Sequence, residues 1–154
     1  MSKRIVYLAG ALELEGDTWR KRAGAALAKM NFIPLDPVRR ETIKKVGKYA
    51  QSDMSDLAVV NRDLNDLKRM ELSGGFVLMN LNNSSDGRRP MGTLFELEWC
   101  RSRNIPVVAI MGRECDSSLK NHPWVSVSVI YKASSVQDAL TFIESYLAEE
   151  DELV

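Results

Sequence analysis

The sequence predicts an α/β fold of three layers: a doubly wound, flavodoxin-like, five-stranded parallel sheet with helices on both faces. Short apolar stretches rich in β-branched residues alternate along the chain with longer stretches whose apolar residues recur at helical spacing. Such alternation needs crossover connections, which make neighbouring strands parallel. Polar loops follow the strands over residues 10–17, 36–52, 82–93 and 112–123. Ligands of this fold class bind where those loops meet, so these segments are expected to form any site.

Five strands are predicted, each short and apolar and bounded by turn residues. The last is included because valines alternate with serines in VSVSV, as expected for a strand with one buried face. The predicted strands cover residues 4–9, 32–35, 76–81, 105–111 and 125–131.

Helices are predicted between these strands from apolar residues three and four apart. The first covers residues 17–30 with Asp17 or Thr18 as its cap, and the second begins at Ser55 or Asp56. Two more cover residues 91–103 and 135–147. The second helix is predicted to bury Leu57, Val60, Leu64 and Leu67. Residues 38–52 are basic and polar without a clear period, so they are predicted to form a loop with one helical turn.

Length and composition fit one domain over residues 1–148, followed by an acidic tail over 149–154. The 21 basic residues balance the 21 acidic ones, which does not favour binding to a nucleic acid polymer or an anionic membrane. No apolar run approaches the ~20 residues of a membrane span. Cys100 and Cys115 fit no metal spacing, so a reduced, cytoplasmic setting without a metal site is expected.

The stretch MGTLFELEWC contains the carboxylate with the most informative position. Glu96 lies three residues after Thr93, which is the spacing of a capping box at the start of a helix. The same helix follows the third predicted strand, so Glu96 also lies at the ligand-binding edge of the sheet. The two interpretations are compatible, because a helix N-terminus would keep the carboxylate ionised with a depressed pKa.

Other candidate residues have ordinary structural explanations. Asp63 and Asp66 are three apart on one helical face, as in a solvated face paired with neighbouring arginines. His122 is the single histidine and lies in a loop, where it is expected to be solvated or structural. Neither a G-x-G-x-x-G nor a Walker sequence occurs, so no nucleotide cofactor is expected. The third strand ends in Asn80-Leu81-Asn82 without the aspartate that a receiver domain would need.

Six motifs occur in a fixed order: YLAG, DTWR, NFIPLDP, RDLNDL, the glycine-threonine-x-x-glutamate of MGTLFELEWC, and NIPVVAI. This order resembles the nucleoside 2-deoxyribosyltransferase-like family, which includes the 2′-deoxynucleoside 5′-phosphate N-hydrolases. The resemblance extends from about residue 5 to residue 147. Its most specific part is the glycine-threonine-x-x-glutamate motif followed by a strand of the IPVVAI type.

The resemblance implies an enzyme that cleaves the N-glycosidic bond of 2′-deoxynucleosides, or their 5′-monophosphates, and transfers deoxyribosyl to another base. Glu96 would be the nucleophile, Asp63 would bind the sugar and steer Glu96, and Tyr7 would hold Glu96 in place. The partners implied are a nucleoside or nucleotide and a free nucleobase, with no cofactor, in a homodimer or larger even homo-oligomer. The implied substrate-binding residues are Gly10, Asp86, Arg89, Gly92, Thr93 and, from a neighbouring subunit, Asn121.

One position departs from the family pattern. Pro90 stands where transferases often carry an acid that meets the base, and where several N-hydrolases carry a serine that holds the 5′-phosphate. Asp86 lies in the same loop as a substitute, and Arg88 and Arg89 either contact a phosphate or face water. Three functions are therefore open: a deoxyribosyltransferase, a 5′-monophosphate N-hydrolase, and a non-catalytic nucleotide-binding protein.

Overall fold

The computed structural model describes residues 3–12, 18–39, 43–47 and 49–148 of the 154-residue chain. The acidic tail predicted over 149–154 lies outside the described residues, as do Asp17 and the other acids of the first loop, Glu13 and Glu15. The elements are β1 (Ile5–Ala9), α1 (Thr18–Lys29), β2 (Ile33–Leu35), β3 (Ile43–Val46), β4 (Tyr49–Ser52), α2 (Asp56–Leu72), β5 (Phe76–Asn80), α3 (Met91–Ser102), β6 (Val107–Ile110), α4 (Ser117–Lys120), α5 (Pro123–Ser126), β7 (Tyr131–Ala133) and α6 (Val136–Tyr146).

Five strands form one parallel sheet in the order β2-β1-β5-β6-β7. Starting from β1, the chain adds β2 on one side of the sheet and then β5, β6 and β7 in turn on the other side. This order confirms the predicted flavodoxin-like winding. The switch point therefore lies between β1 and β5, where Ala9 is in register with Met79. A crevice is expected there, outside the carboxyl ends of both strands.

Helices cover both faces of the sheet, which confirms the three predicted layers. Because side chains alternate along a strand, β1 directs Tyr7 toward one face and Val6 toward the other. The Tyr7 face packs against α2 and α3, and the Val6 face packs against α1 and α6. Both faces of the central strands are therefore buried, as their nearly continuous apolar sequence requires.

The prediction of a strand over residues 125–131 is wrong. Residues Pro123–Ser126 form the short helix α5, and the last strand of the sheet is Tyr131–Ala133. Pro123 suits the first helical position, and the His122 side chain accepts a hydrogen bond from the Trp124 amide as the N-cap. The valines of VSVSV therefore do not alternate along a strand. Val125 is buried within α5, and Val127, the C-cap of this helix, is exposed.

The loop predicted over residues 38–52 contains a β-hairpin, so that prediction is also wrong. Strands β3 and β4 pair antiparallel as a separate two-stranded sheet, with Ile43 opposite Ser52. Gly47 adopts a φ of 62° at the turn, a conformation that costs glycine little. Lysines on β3 mask the alternation that normally identifies a strand.

Helix α2 begins at Asp56 with Ser55 as its N-cap, in agreement with the prediction, but only part of its predicted stripe is buried. Leu67 is 1% exposed, whereas Leu57 and Val60 are 71% and 53% exposed. The helix has 17 residues and is about 25 Å long, while the five-residue strand β1 spans about 17 Å. The first turns of α2 thus extend beyond the sheet and border the crevice at its carboxyl edge.

Candidate active site

A cavity of about 490 Å³ lies at the carboxyl edge of the sheet, at the switch point. Three of the four loops expected to form a site contribute to it, following β1, β2 and β5. Its lining residues are Tyr7, Gly10, Ala11, Leu12, Arg20, Pro37, Val38, Ser52, Val59, Arg62, Asp63, Arg88, Arg89, Pro90, Met91, Gly92, Thr93 and Glu96. The fourth loop reaches this region indirectly, because Asp116 forms an ion pair with Arg89 at 2.9 Å.

The central feature of the cavity is the contact between Tyr7 and Glu96. Tyr7 is completely buried in β1, and its hydroxyl donates a hydrogen bond to the Glu96 carboxylate. The alternation of β1 directs the Tyr7 side chain toward α3, and the sixth position of α3 directs Glu96 back toward it. The structure therefore places all three residues expected to carry the chemistry in one cavity and joins two of them, Tyr7 and Glu96, by a hydrogen bond.

Glu96 is not part of a capping box. The N-cap of α3 is Pro90, and no described side chain caps the helix there. Thr93 is consequently inside the helix, at its third position, and cannot act as the cap for an amide three residues later. The carboxylate is held by Tyr7 instead.

The pKa of Glu96 is raised from 4.5 to about 7. Burial is the largest cause, and Asp63 adds a smaller increase, while the Tyr7 hydrogen bond, Arg20 and Arg62 act in the opposite direction. The predicted depression of this pKa is wrong. Glu96 lies in the second turn of α3, and the influence of a helix N-terminus fades beyond the first turn.

Tyr7 is a permanent hydrogen-bond donor to Glu96. Its pKa is raised well above 10 by burial and by the nearby charges of Glu96 and Asp63. The hydroxyl therefore keeps its proton across the physiological range. It can orient the Glu96 carboxylate but cannot act as a base.

Asp63 lies on α2, on the cavity wall within electrostatic range of Glu96 and Tyr7. Arg62 donates to its carboxylate from Nε at 3.0 Å and from Nη2 at 2.8 Å. The cavity therefore contains two carboxylates in different settings, since Asp63 is bound by an arginine and Glu96 by a neutral tyrosine. Such a difference is typical of sites in which one acid reacts and the other binds.

Asp66, three residues further along α2, is not part of a solvated face. It is 2% exposed, and its two carboxylate oxygens accept hydrogen bonds from the Arg39 guanidinium at 2.6 and 2.9 Å. Arg39 also donates to the Asp36 carbonyl at 2.9 Å. This contact fastens the loop after β2 to α2, and that loop supplies Pro37 and Val38 to the cavity wall.

Four of the six residues expected to bind substrate line the cavity: Gly10, Arg89, Gly92 and Thr93. A Cβ at Gly10 would lie 2.9 Å from the Trp19 ring, so the missing side chain admits the close packing of α1. A Cβ at Gly92 would meet no protein atom within 4 Å. Gly92 therefore leaves open space at the start of α3.

The remaining two residues do not line the cavity of their own chain. Asp86 accepts a hydrogen bond from the Ser84 hydroxyl and forms an ion pair with Arg88 at 3.2 Å. Asn121 is the C-cap of α4. Its expected contribution to the site of a neighbouring subunit stays a prediction.

Arg20 is a cavity residue that the sequence did not single out. It is 2% exposed and donates hydrogen bonds to main-chain carbonyls at the end of β1. It lies one turn before Ala23 and two turns before Leu27, on the buried stripe of α1. An arginine on an apolar stripe is the pattern that could have identified it.

The fold and the cavity define an α/β protein with a tyrosine-bound carboxylate at the switch point of its sheet. Within the described residues, no group of three or more His, Cys, Asp or Glu side chains is placed to hold a metal ion, and no helix could span a bilayer. Comparison with protein-family models and with curated proteins finds no match for this chain. The function is therefore inferred from the cavity and from the ordered motifs of the sequence.

Proposed function

We propose that the protein cleaves the N-glycosidic bond of 2′-deoxynucleosides, or their 5′-monophosphates, and transfers the deoxyribosyl group to another base. The observation that carries this proposal is the hydrogen bond from Tyr7 to Glu96 in a cavity that Asp63 also lines. The resemblance of the motifs to the nucleoside 2-deoxyribosyltransferase-like family assigns complementary roles to the same three residues. Geometry and motif order therefore both support cleavage of the N-glycosidic bond.

In the proposed reaction, the Glu96 carboxylate attacks the anomeric carbon of the sugar. A bond forms between its oxygen and that carbon while the carbon–nitrogen bond breaks, and the base leaves with the electron pair and takes up a proton. The negative carboxylate also stabilises the positive charge that develops on the sugar. A ring nitrogen of an acceptor base then attacks the anomeric carbon, the bond from that carbon to Glu96 breaks with its electron pair returning to the carboxylate, and the nitrogen loses its proton to solvent.

The ionisation of Glu96 suits this role at neutral pH. With a pKa of about 7, roughly half of the molecules carry the reactive carboxylate at that pH. Tyr7 fixes one carboxylate oxygen by donating to Oε2. The other oxygen is the one we assign to attack on the sugar.

A second candidate is hydrolysis of a deoxynucleoside 5′-monophosphate, with water as the acceptor. Arg88 and Arg89 line the cavity directly before α3, whose N-terminus lacks a side-chain cap among the described residues. Thr93, in the first turn of α3, also lines the cavity. Main-chain amides, hydroxyls and arginines are groups that bind phosphate.

The test is incubation of the purified protein with deoxynucleosides and their 5′-monophosphates, with and without a free acceptor base. Chromatography reports released base and new nucleoside. Glu96→Gln is the test variant, and Glu98→Gln is its matched control, because Glu98 is exposed on the same helix and pairs with Arg101. Turnover that is lost in Glu96→Gln and kept in Glu98→Gln supports Glu96 as the nucleophile.

The products distinguish the candidate functions. New nucleoside that forms only with acceptor base indicates a transferase, whereas free base from monophosphates alone indicates an N-hydrolase. Binding without turnover, in a protein that is folded, would contradict both and favour a non-catalytic nucleotide-binding protein. Fold alone does not decide among them.

We further propose that the protein assembles as a homodimer or a larger even homo-oligomer, with Asn121 completing the site of a neighbouring subunit. The support is the family resemblance, together with the position of Asn121 away from the cavity of its own chain. Light scattering of the purified protein measures the molar mass. A monomer that is fully active would contradict this assembly.

A further inference from the structure

Arg20 holds the end of β1 that carries Tyr7. Its Nε donates to the Leu8 carbonyl at 3.0 Å and its Nη2 to the Gly10 carbonyl at 2.8 Å, with Ala11 also in reach of Nη1 at 3.4 Å. These carbonyls come directly after Tyr7 along the chain. The guanidinium thus fixes the turn by which the chain leaves the sheet and enters the cavity wall.

Arg20 also places a buried positive charge in the cavity that Glu96 lines. It is buried and lines the same cavity as Glu96, and Asp36 approaches its Nε to 3.9 Å. Charges in buried surroundings interact more strongly than charges in water, because the surroundings screen them less. The charge of Arg20 lowers the pKa of both Glu96 and Tyr7.

The other groups around Glu96 come from three elements. Tyr7 on β1 donates a hydrogen bond, Asp63 on α2 opposes ionisation, and Arg62 on α2 favours it. Cys100, one turn further along α3, has a pKa raised to about 12 and stays protonated. The cations that favour the ionised form are therefore Arg62, which binds Asp63, and Arg20, which binds main-chain carbonyls.

We propose that Arg20 is a positioning residue for the reaction of Glu96: its guanidinium fixes the end of β1, whose Tyr7 holds the carboxylate, and it places a buried positive charge in the cavity that Glu96 lines. This inference rests on the proposed function only for its kinetic consequence. The electrostatic link between Arg20 and Glu96 can be measured without any substrate. The two proposals can therefore fail separately.

The first experiment observes Arg20 in the wild-type protein, whose fold is intact. Protein labelled with ¹⁵N-arginine is titrated by NMR across the pKa of Glu96, which is about 7, and the Arg20 resonance is assigned by its loss in Arg20→Lys. We expect the Arg20 Nε–H resonance to shift with a midpoint of about 7, and the shift to disappear in Glu96→Gln. If the Arg20 Nε–H resonance of the wild type did not shift across this pH range, or shifted equally in Glu96→Gln, the proposal would be overturned.

The second experiment compares the pH dependence of kcat/KM. In Arg20→Gln, which removes the charge, we expect the midpoint of the pH profile to rise by about one pH unit. The value of kcat/KM should then fall about tenfold more at pH values below the midpoint than at pH values above it. Arg20→Lys keeps the charge and should restore the midpoint. The control is Arg22→Gln, which changes an exposed arginine of the same helix and should leave the profile unchanged.

The outcomes separate the two proposals. A folded Arg20→Gln protein whose midpoint equals that of the wild type would overturn the role of Arg20 while leaving Glu96 as the nucleophile. A wild-type protein without turnover on any of the substrates would overturn the proposed function. The arginine titration would then still decide whether Arg20 and Glu96 are coupled.

Discussion

The site depends first on one hydrogen bond, between Tyr7 and Glu96. Tyr7→Phe removes the donor and leaves the ring, which fits the same buried position. Because this hydrogen bond lowers the pKa of Glu96, its loss raises that pKa further above 7. We expect kcat/KM at neutral pH to fall about tenfold or more, with a smaller loss at alkaline pH.

Tyr131→Phe is the control for this prediction. Tyr131 donates to Asp138 at 2.8 Å and contributes nothing to the cavity lining. Loss of the Tyr131 hydroxyl should leave the pH profile of kcat/KM unchanged. Equal effects of the two substitutions would mean that the Tyr7 hydroxyl supports only the fold.

The pH dependence expected for the proposed reaction follows from the same carboxylate. A nucleophile reacts in its ionised form, and Glu96 ionises with a pKa of about 7. We expect kcat/KM to rise with pH through a midpoint near 7, measured with buffers of constant ionic strength. A profile that falls with pH through this range would indicate that Glu96 reacts as an acid, and would contradict the proposed mechanism.

At the scale of residues, the sequence located the proposed nucleophile but not its surroundings. The glycine-threonine-x-x-glutamate motif singled out Glu96, and the structure places it in the cavity beside Tyr7. Its raised pKa could not be predicted, because burial is set by α2 and β1, which are distant in sequence. The same is true of Asp66, whose partner Arg39 lies 27 positions earlier.

The loop after β2 is the element whose attachment shapes the cavity wall. Asp66→Ala removes the buried partner of Arg39 and frees this loop from α2. We expect the free energy of unfolding to fall by roughly 2 kcal/mol, since a charge-assisted buried pair is lost while Arg39 can reach water. Urea denaturation measures this change, and KM should also rise because Pro37 and Val38 line the cavity.

Glu71→Gln on the same helix is the matched control. Glu71 is 39% exposed at its side chain and only approaches Arg103, at 3.9 Å. Its loss should change the free energy of unfolding by less than about 0.5 kcal/mol. If Asp66→Ala were equally mild, the Arg39 contact would not be what fastens the loop.

At the scale of elements, the sequence predicted those defined by a long apolar period and missed those defined by turns. Helices α3 and α6 begin and end close to the predicted positions, since their stripes are regular. The hairpin of β3 and β4 was missed because its lysines hide the alternation. The sequence predicts a strand in place of helix α5, because four residues are too few for a helical period to differ from alternation.

For the whole molecule, the winding could be predicted almost completely. Apolar strands that alternate with amphipathic helices admit few topologies, because parallel crossovers are right-handed and consecutive elements pack together. The order β2-β1-β5-β6-β7 is one of those few, and it places the cavity at the predicted edge. The predicted edge included residues 112–123, which lie outside the cavity lining; Asp116 of this segment pairs with the cavity residue Arg89.

The stability of the whole protein should also respond to Glu96. A carboxyl group whose pKa rises from 4.5 unfolded to about 7 folded stabilises the fold when it is protonated. This contribution is complete below 4.5 and is lost as the pH rises through 7. Between about pH 5 and about pH 8 the loss amounts to roughly 2 kcal/mol, allowing for the partial exposure of Glu96.

Glu96→Gln cannot ionise, so it should escape this loss while still accepting the Tyr7 hydrogen bond. We expect the variant to be more stable than the wild type at about pH 8 and nearly equal to it below about pH 4.5, as measured by urea denaturation across pH. Comparing the two proteins at each pH cancels the contributions of the other carboxylates. A substitution that abolishes turnover yet stabilises the fold above neutral pH would show that burying Glu96 costs stability. A constant difference across pH would mean that the Glu96 pKa is ordinary, and the kinetic midpoint near 7 would then belong to another group.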